Sequence, residues 1–528
     1  MINLNQREKF LHKINDETYD LVIIGGGITG AGILLDASSR GKKCLLIEKN
    51  DFASGTSSKS TKLIHGGLRY LKNLEFKMVS DVGRERNIAF QNAPHLVRPE
   101  RMLLPITKGG SFKKWQLKFA LSMYDFLASV KKLDRKKILT KKQTVNTEPL
   151  LNQKDLLGAG LYAEYRTDDA RLTISILKTA AKYNGKSINY IEAIDIEKNN
   201  EFHVTCYDHI DKTNCTIKCK NLINATGPWA DITRGKEGIE FESKIRLSKG
   251  VHIVIPREKL PINQSVYFDV TDKRMCFAIP RGKVTYIGTT DDDYSGNLDM
   301  IQVSNADVTY LVNATNETFD IENLQIKDVI SSWAGLRPLI EEKGKKSTEI
   351  SRKDELFFSK SGMITIAGGK LTGYRIMAKK VVDKLYPKER CSTDRIPIDG
   401  NFKPKHKTYT EFKSSLMNEF SNLRLNEFQL DYLIQNYGVN TEEILGNLNE
   451  SLNSSIIEQE IMYCFKNEGT TTLLDFYFRR SGLIYFDPLG IEKDLSKAKK
   501  IFDGIKNSSS KVDEKEIIKE LKKHKTFK

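Results

Sequence analysis

The chain has 528 residues, of which 39% are hydrophobic and 29% charged, a composition that suits globular domains and excludes a disordered, collagenous or disulfide-stapled protein. No uncharged apolar run reaches the roughly 18 residues of a membrane span. The first residues lack a signal-peptide core, and seven cysteines without framework spacing fit a reducing compartment, so the cytoplasm is the expected location.

The formal charge of +16 suits an anionic partner such as a phosphorylated substrate or a membrane surface. With no nucleic-acid motif in the chain, nucleic acid is not an expected ligand.

Tyr19–Glu48 reads as a βαβ unit. An apolar run, Leu21 to Ile24, meets Gly25-Gly26-Gly27-Ile28-Thr29-Gly30; Ile33, Leu34 and Ala37 follow at helical spacing, and a second apolar run, Cys44 to Ile47, ends on Glu48. In such a unit Gly25 makes the tight turn, Gly27 admits a pyrophosphate, and Gly30 lets helix and strand pack closely. Amides at the helix start and the helix dipole hold phosphates. Glu48 stands where a carboxylate accepts hydrogen bonds from a ribose. The pattern predicts a dinucleotide site without choosing between NAD and FAD.

Asp51–Leu71 is dense in hydroxyls and glycines, with His65, Arg69 and Tyr70 near its end. A loop placed there faces the dinucleotide, and these three side chains suit an anionic substrate. Residues 112–142 carry ten Lys or Arg against two Asp, with Trp115, Phe119, Met123, Phe126, Leu127 and Val130 on one helical face. This reads either as a helix packed on its own domain or as a peripheral contact with anionic lipid. Cys206, Cys215 and Cys219 form the one local cysteine cluster. A metal there would need His203 or His209 as a further ligand, and the alternation of HVTCY and TIKCK reads better as a β-hairpin.

INATGPWAD (Ile223–Asp231) is a strand ending in a Gly-Pro turn. The runs HIVIP, SVYFDV, MCFAIP and VTYIGTT suggest an antiparallel sheet, and MITIAGGKLTGYR is strand, Gly-Gly and helix, a second N-terminus able to face an anion. Pro387 and Pro404 flank a predicted linker. Beyond it, Phe412, Leu416, Phe420 and Leu423 share one helical face, and Leu430, Leu433, Ile434 and Tyr437 share another that stops at Gly438. Residues 400–528 read as a helical appendage that ends in a Lys-rich surface helix with a frayed end.

The run DFASGTSSKSTKLIHGGLRYLKN after IIGGGITGAG closely resembles the FAD-dependent glycerol-3-phosphate dehydrogenases, relatives of the glycine-oxidase and D-amino-acid-oxidase flavoproteins. YRTDDARL (165–172), NATGPW (224–229), KGVH (249–252), FAIPR (277–281), GTTD (288–291), WAGLRP (333–338), SRKD (351–354) and AGGKLTGYR (367–375) continue the resemblance. It is strong over 18–385 and looser through Phe478-Arg479-Arg480-Ser481-Gly482.

The resemblance implies an α/β fold with a Rossmann-like FAD domain, an antiparallel β substrate domain and a C-terminal α-helical domain. The implied oxidoreductase region is 1–390, with FAD segments near 18–95, 155–235 and 335–390 and substrate segments near 96–154 and 236–334. Residues 391–528 are then the helical domain.

For the cofactor the resemblance implies contacts from Gly25, Gly27, Gly30, Glu48, Thr56, Ser57, Ser58, Leu63, Gly227, Trp229, Gly368, Gly369, Lys370, Leu371 and Thr372. Around the substrate it implies Arg69, Arg337, Arg352 and Lys370, with Tyr70 in support. His252 is the favoured base and His65 the second choice, because imidazole titrates near working pH.

The implied reaction is oxidation of sn-glycerol 3-phosphate to dihydroxyacetone phosphate, with the C2 hydride passing to the flavin N5 and the electrons to a membrane quinone. A glycerol-3-phosphate oxidase reducing oxygen is the alternative; an amine or amino-acid oxidase on the same fold and a non-catalytic polyanion- or membrane-binding flavoprotein stand further off. The expected location is cytoplasmic or peripheral on the inner face of the membrane, and a homodimer is left open.

Overall fold

The computed structural model describes the chain apart from residues 66–75, 118–120, 122–135, 273, 343–352, 451–453, 506–513 and 528, and apart from the side chains of 76–79. Two sheets and a helical region are built on one another.

In the first sheet, strands Asp354–Phe358, Ile364–Gly368, Asn214–Asn224, Thr18–Ile24, Cys44–Ile47 and Lys186–Ile188 follow in that spatial order. The four neighbour pairs from Ile364–Gly368 to Lys186–Ile188 are parallel. A parallel sheet is covered on both faces, so its strands read as continuous apolar runs. Leu21 and Ile23 pack in one core, while Val22 and Ile24 pack in the other. Helices Ile28–Ser39, Asp169–Ala181 and Tyr374–Leu385 cover the first face. The predicted hairpin, Phe202–Asp208 with Asn214–Asn224, helps cover the second and sets Cys206 opposite Cys215.

The second sheet is largely antiparallel and holds Ile245–Pro256, Ser265–Asp269, Met275–Arg281, Val284–Gly288 and Ser331–Ile340. It also takes Leu156–Arg166, paired along Arg98–Thr107. A division near residue 155 therefore does not separate the sheets: the chain stays in the second sheet to Arg166 and crosses to the first through Asp169–Ala181.

The C-terminal helices are not an appendage. Phe412, Leu433, Phe476 and Tyr485 share one core with Met102, Tyr286 and Trp333 of the second sheet. Helix Glu427–Tyr437 stops at Gly438, whose φ is +56°, the left-handed end that glycine favours. The expected linker is packed too, with Ile396, Ile398 and Phe402 buried.

The last helix, Glu514–Lys523, buries Ile517 and Leu521 instead of lying free. Beyond it, His524 Nδ1 donates to the Ser332 carbonyl at 2.8 Å and Ser332 Oγ donates to the His524 carbonyl at 3.0 Å. Sequence periodicity sees an exposed basic stripe here. The apolar stripe is short, and this end of the chain is fastened to a strand 192 residues away.

At the basic segment the structure describes one residue of the predicted face. Trp115 is 68% exposed, whereas Leu117 and Leu121 are fully buried. Phe119, Met123, Phe126, Leu127 and Val130 lie outside the described residues. Among the described residues no helix is long and apolar enough to cross a membrane.

Candidate active site

A cavity of about 810 Å³ runs from Glu48–Asn50, past Gly25–Thr29 and Ser57, to Gly335, His252 and Gly368–Thr372. It thus begins at the carboxyl ends of the parallel strands and ends on the second sheet, the place where open α/β sheets bind ligands. Gly25 has φ +114°, and a Cβ there would lie 2.5 Å from the Ala225 carbonyl oxygen. Only glycine makes this turn.

Ile28 N donates to Ser57 Oγ at 2.9 Å, which pins the helix start against the hydroxyl loop. Glu48 accepts from Gly26 N at 2.7 Å and Asn50 N at 2.9 Å. Its carboxylate therefore orders the turn first, and each oxygen keeps a second lone pair for a hydroxyl. Thr56 Oγ1 donates to the Leu336 carbonyl at 2.6 Å and so ties the loop to the second sheet. Trp229 Nε1 and Lys49 Nζ both donate to Asp299, at 3.1 and 2.7 Å, which places the indole over this part of the cavity.

At the far end the strand Ile364–Gly368 breaks at Gly368 and Gly369, with φ near +77° and +79°. Lys370, Leu371 and Thr372 then open the helix Tyr374–Leu385. All five line the cavity, as do Leu63, His65, Gly227 and Trp229. Gly30 and Ser58 do not line it. Gly30 packs under the turn, where a Cβ would lie 2.0 Å from the Gly25 carbonyl oxygen, and Ser58 is buried behind the loop, its carbonyl accepting from Lys62 Nζ at 3.2 Å.

His252 is buried, and its Nε2 lies 3.0 Å from Thr61 Oγ1. Its ring stacks on Trp333 with centroids 4.8 Å apart and an 11° interplanar angle. Gly288 makes room for it: a Cβ there would come within 2.2 Å of the imidazole. Burial, and then the charges of Arg337 and Lys62, hold the imidazole well below its ordinary value of 6.5 and therefore neutral.

Arg337 is fixed along one edge, with Nη1 donating to Asp291 at 3.0 Å and to the Thr290 carbonyl at 3.3 Å, and Nη2 donating to Thr289 Oγ1 at 2.9 Å. Gly250 leaves it space. Arg69, Tyr70 and Arg352 lie outside the described residues.

The sequence reading did not assign Thr61, Trp333, Asp291 or Lys59. Lys59 lines the cavity with its ammonium pushed down to about 8 by burial and then by the charges of Arg479 and Lys523. All four stand inside the motifs that carry the family resemblance, which was the available signal. Their partners are distant in the chain, 191 residues for Thr61 and His252 and 273 for Trp333 and Ser60, so spacing could not reveal them.

Residues 20–375 match the family model described as FAD dependent oxidoreductase, and residues 391–509 match the C-terminal domain of alpha-glycerophosphate oxidase. The aerobic glycerol-3-phosphate dehydrogenase of Staphylococcus saprophyticus is 44% identical over 501 residues, covering 91% of this chain and 90% of that protein. The chain belongs to the FAD-dependent glycerol-3-phosphate dehydrogenase family.

The Bacillus subtilis protein of the same name is 43% identical over 500 residues, 91% of this chain and 90% of that one. A crystal structure of the glycerol-3-phosphate dehydrogenase from Bacillus halodurans, complexed with FAD, superposes with a TM-score of 0.85 at 35% identity, covering 100% of this chain and 99% of that one. Glycine oxidase from Geobacillus kaustophilus shares the fold at 18% identity with a TM-score of 0.56, covering 72% of this chain and 98% of that one.

The residues present fit the family's cofactor. A cavity of about 810 Å³ with a glycine turn at each end suits a long dinucleotide. Glu48 and the helix start at Ile28 would hold the adenosine and pyrophosphate, and Gly368–Thr372 would hold the ring system.

Proposed function

We propose that this chain oxidises sn-glycerol 3-phosphate to dihydroxyacetone phosphate and delivers the electrons to a membrane quinone. The observation that carries the reading is the pairing of a neutral, buried His252 with the clamped Arg337 in the cavity that ends on Gly368–Thr372. When bound, FAD supplies the two-electron acceptor for the C2 hydride.

The chain's own groups do the rest. Arg337 and Lys370 take the anionic substrate, with Arg69, Arg352 and Tyr70 joining them in our reading. His252, stacked on Trp333 and hydrogen-bonded to Thr61, takes the hydroxyl proton as the C2 hydride departs, so that the alcohol becomes a ketone. The wall of Trp333 and the buried ring of His252 keep bulk water from this face. His65 lines the same end and is the second candidate for the base.

The relatives of 43–44% identity named aerobic glycerol-3-phosphate dehydrogenase support this substrate. The match of 391–509 to a domain of alpha-glycerophosphate oxidase favours a second reading, in which oxygen is the acceptor.

One anaerobic experiment separates the two. Glycerol 3-phosphate bleaches the flavin band near about 450 nm; quick recovery with quinone and slow recovery in air supports the dehydrogenase, and quick recovery in air with peroxide supports the oxidase. Fully loaded protein that does not bleach rejects both.

Two variants probe the residues. Arg337→Ala removes charge-assisted hydrogen bonds to the substrate of about 1.5–3 kcal/mol each, so the absence of two such bonds lowers kcat/KM by about 10² to 10⁴. Steady-state kinetics on FAD-loaded protein measures this.

Because His252 is depressed below 6.5, the acid limb of kcat/KM in the wild type lies below that pH. His252→Gln lowers the plateau and removes that limb, as a pH profile would show. An acid limb unchanged in the variant would transfer the base role to another group.

Peripheral membrane contact through residues 112–142 belongs to the same reading. Its support is the run of ten basic residues and the exposed Trp115 at its start.

A further inference from the structure

A cluster of arginines lies where the second sheet meets the C-terminal helices, outside the lining of the cofactor cavity. Arg98 and Arg166 stand directly opposite each other in the antiparallel pair of Arg98–Thr107 and Leu156–Arg166. Like charges in that position destabilise a sheet unless something neutralises them. Acidic partners are scarce. Arg166 has one, Glu100, at 3.7 Å, beyond hydrogen-bond distance, and Glu100 also accepts from Ser265 Oγ at 2.9 Å. Arg98 lies over the ring of Tyr409 at 3.9 Å and donates no hydrogen bond among the described residues.

Arg281 completes the group. It donates to Asp168 at 2.9 Å and lies over the ring of Phe486 at 3.9 Å. Burial, with Arg98 and Arg281 nearby, makes Arg166 easier to deprotonate than an ordinary guanidinium in spite of Glu100. Neighbouring charges do not relieve it. Lys62 and Arg281 are met by Asp168 and Asp169, and Arg86 is met by Glu164. Among the described residues Glu100 is the one carboxylate beside Arg166, and Arg98 forms no ion pair.

Two of the three guanidinium planes rest on aromatic rings of the helical domain, which holds them in place while their edges keep N–H donors for a ligand. Planar forks grouped near one another recognise tetrahedral oxyanions.

We propose that Arg98, Arg166 and Arg281 form a second anion site, for the phosphate group of inorganic phosphate or of a small phosphomonoester, which ties the second sheet to the C-terminal helices. The ligand joins three strands of the sheet to rings carried by Tyr409 and Phe486. Its binding therefore stabilises the contact between sheet and helical domain.

The test is thermal unfolding of the FAD-loaded full chain at constant ionic strength, with chloride exchanged for inorganic phosphate or for glycerol 2-phosphate. Wild type, Arg166→Gln and Arg98→Gln are compared. Anion binding in the catalytic cavity is common to all three proteins, so only the difference between them reads the cluster.

In chloride, each variant melts at or above the wild type, on the order of 1–3 °C higher, because a like-charge pair is gone. In phosphate the wild type gains on the order of 1–3 °C more than either variant. This extra gain in inorganic phosphate alone identifies the free ion, and the extra gain in both anions identifies the phosphate group at large. Equal phosphate shifts in all three proteins overturn the proposal. So does a variant that melts below the wild type by the same margin in both anions, because the arginines are then simply structural.

Discussion

Gly30→Ala should yield a colourless protein. A Cβ on residue 30 would lie 2.0 Å from the Gly25 carbonyl oxygen and 3.4 Å from Leu46 Cδ1. The first of these is backbone, and it belongs to the turn that forms the cradle, so no side chain can swing aside. Relief requires helix Ile28–Ser39 to move away from strand Thr18–Ile24. That motion carries Ile28 N from Ser57 Oγ, now 2.9 Å away, and withdraws the helix start from the pyrophosphate position.

Overpacking of this kind costs about 1–3 kcal/mol, and the affinity for FAD should fall by about 5- to 150-fold. The flavin-to-protein absorbance ratio and a titration of apoprotein with FAD measure it. A yellow protein with wild-type affinity would mean that the helix start does not hold the dinucleotide.

Arg480→Ala should be the most destabilising single change in the C-terminal region. Arg480 and Asp51 are both buried, and the guanidinium donates to the carboxylate twice, at 2.5 and 2.9 Å. Arg480 also donates to the Glu468 carbonyl at 2.8 Å. Arg479 shares Asp51 and Asn189 Nδ2 donates to its other oxygen at 3.1 Å, but losing Arg480 takes two charge-assisted donors from a buried carboxylate. Breaking a buried pair from one side costs about 3–5 kcal/mol.

The effect should reach the cofactor, because the loop carrying Asp51 also bonds Ala53 N to the Gly26 carbonyl at 3.0 Å. Burial raises the Asp51 carboxyl, but Arg480 and Arg479 outweigh it and leave the group below its ordinary 3.8. The pair's stabilisation is thus fully present above that pH and is lost as the pH falls below it. Denaturant unfolding should show a large deficit for Arg480→Ala near neutral pH, narrowing in acid, with weakened FAD retention. Asp51→Asn combined with Arg480→Leu should recover part of the loss. An unchanged unfolding midpoint in Arg480→Ala would show that the pair is not what joins the helical region to the cofactor loop.

Elements whose cause is local were legible in the residues. Gly25–Gly30 between two apolar runs prescribes a strand, a turn that only glycine makes, and a helix start. The same holds for the Gly368–Gly369 break, for the hairpin pairing Cys206 with Cys215, and for the helix that ends at Gly438. In each case backbone conformation or a side-chain period of two or 3.6 residues is decided by neighbours in sequence. The site residues within the family motifs followed from the resemblance, and His252 and Arg337 do line one cavity.

Period alone misjudged segments whose burial depends on distant surfaces. Helical spacing puts Trp115 on an apolar face without saying what that face meets; it is exposed, and the second sheet takes Leu117 and Leu121 instead. The last helix reads as a frayed surface piece, yet His524 is fastened to Ser332, and Tyr485 packs between His524 and Trp333.

The dinucleotide-binding frame and the order of its motifs follow from the residues alone, since dihedral preference and hydrophobic period act over a few residues. That Trp333 backs His252, that Arg480 closes on Asp51 and that Arg98 faces Arg166 is set by the packing of distant elements. The partners in those pairs are far apart in the chain, by as many as 429 positions for Asp51 and Arg480, and which surfaces meet depends on how the sheets and helices pack as wholes.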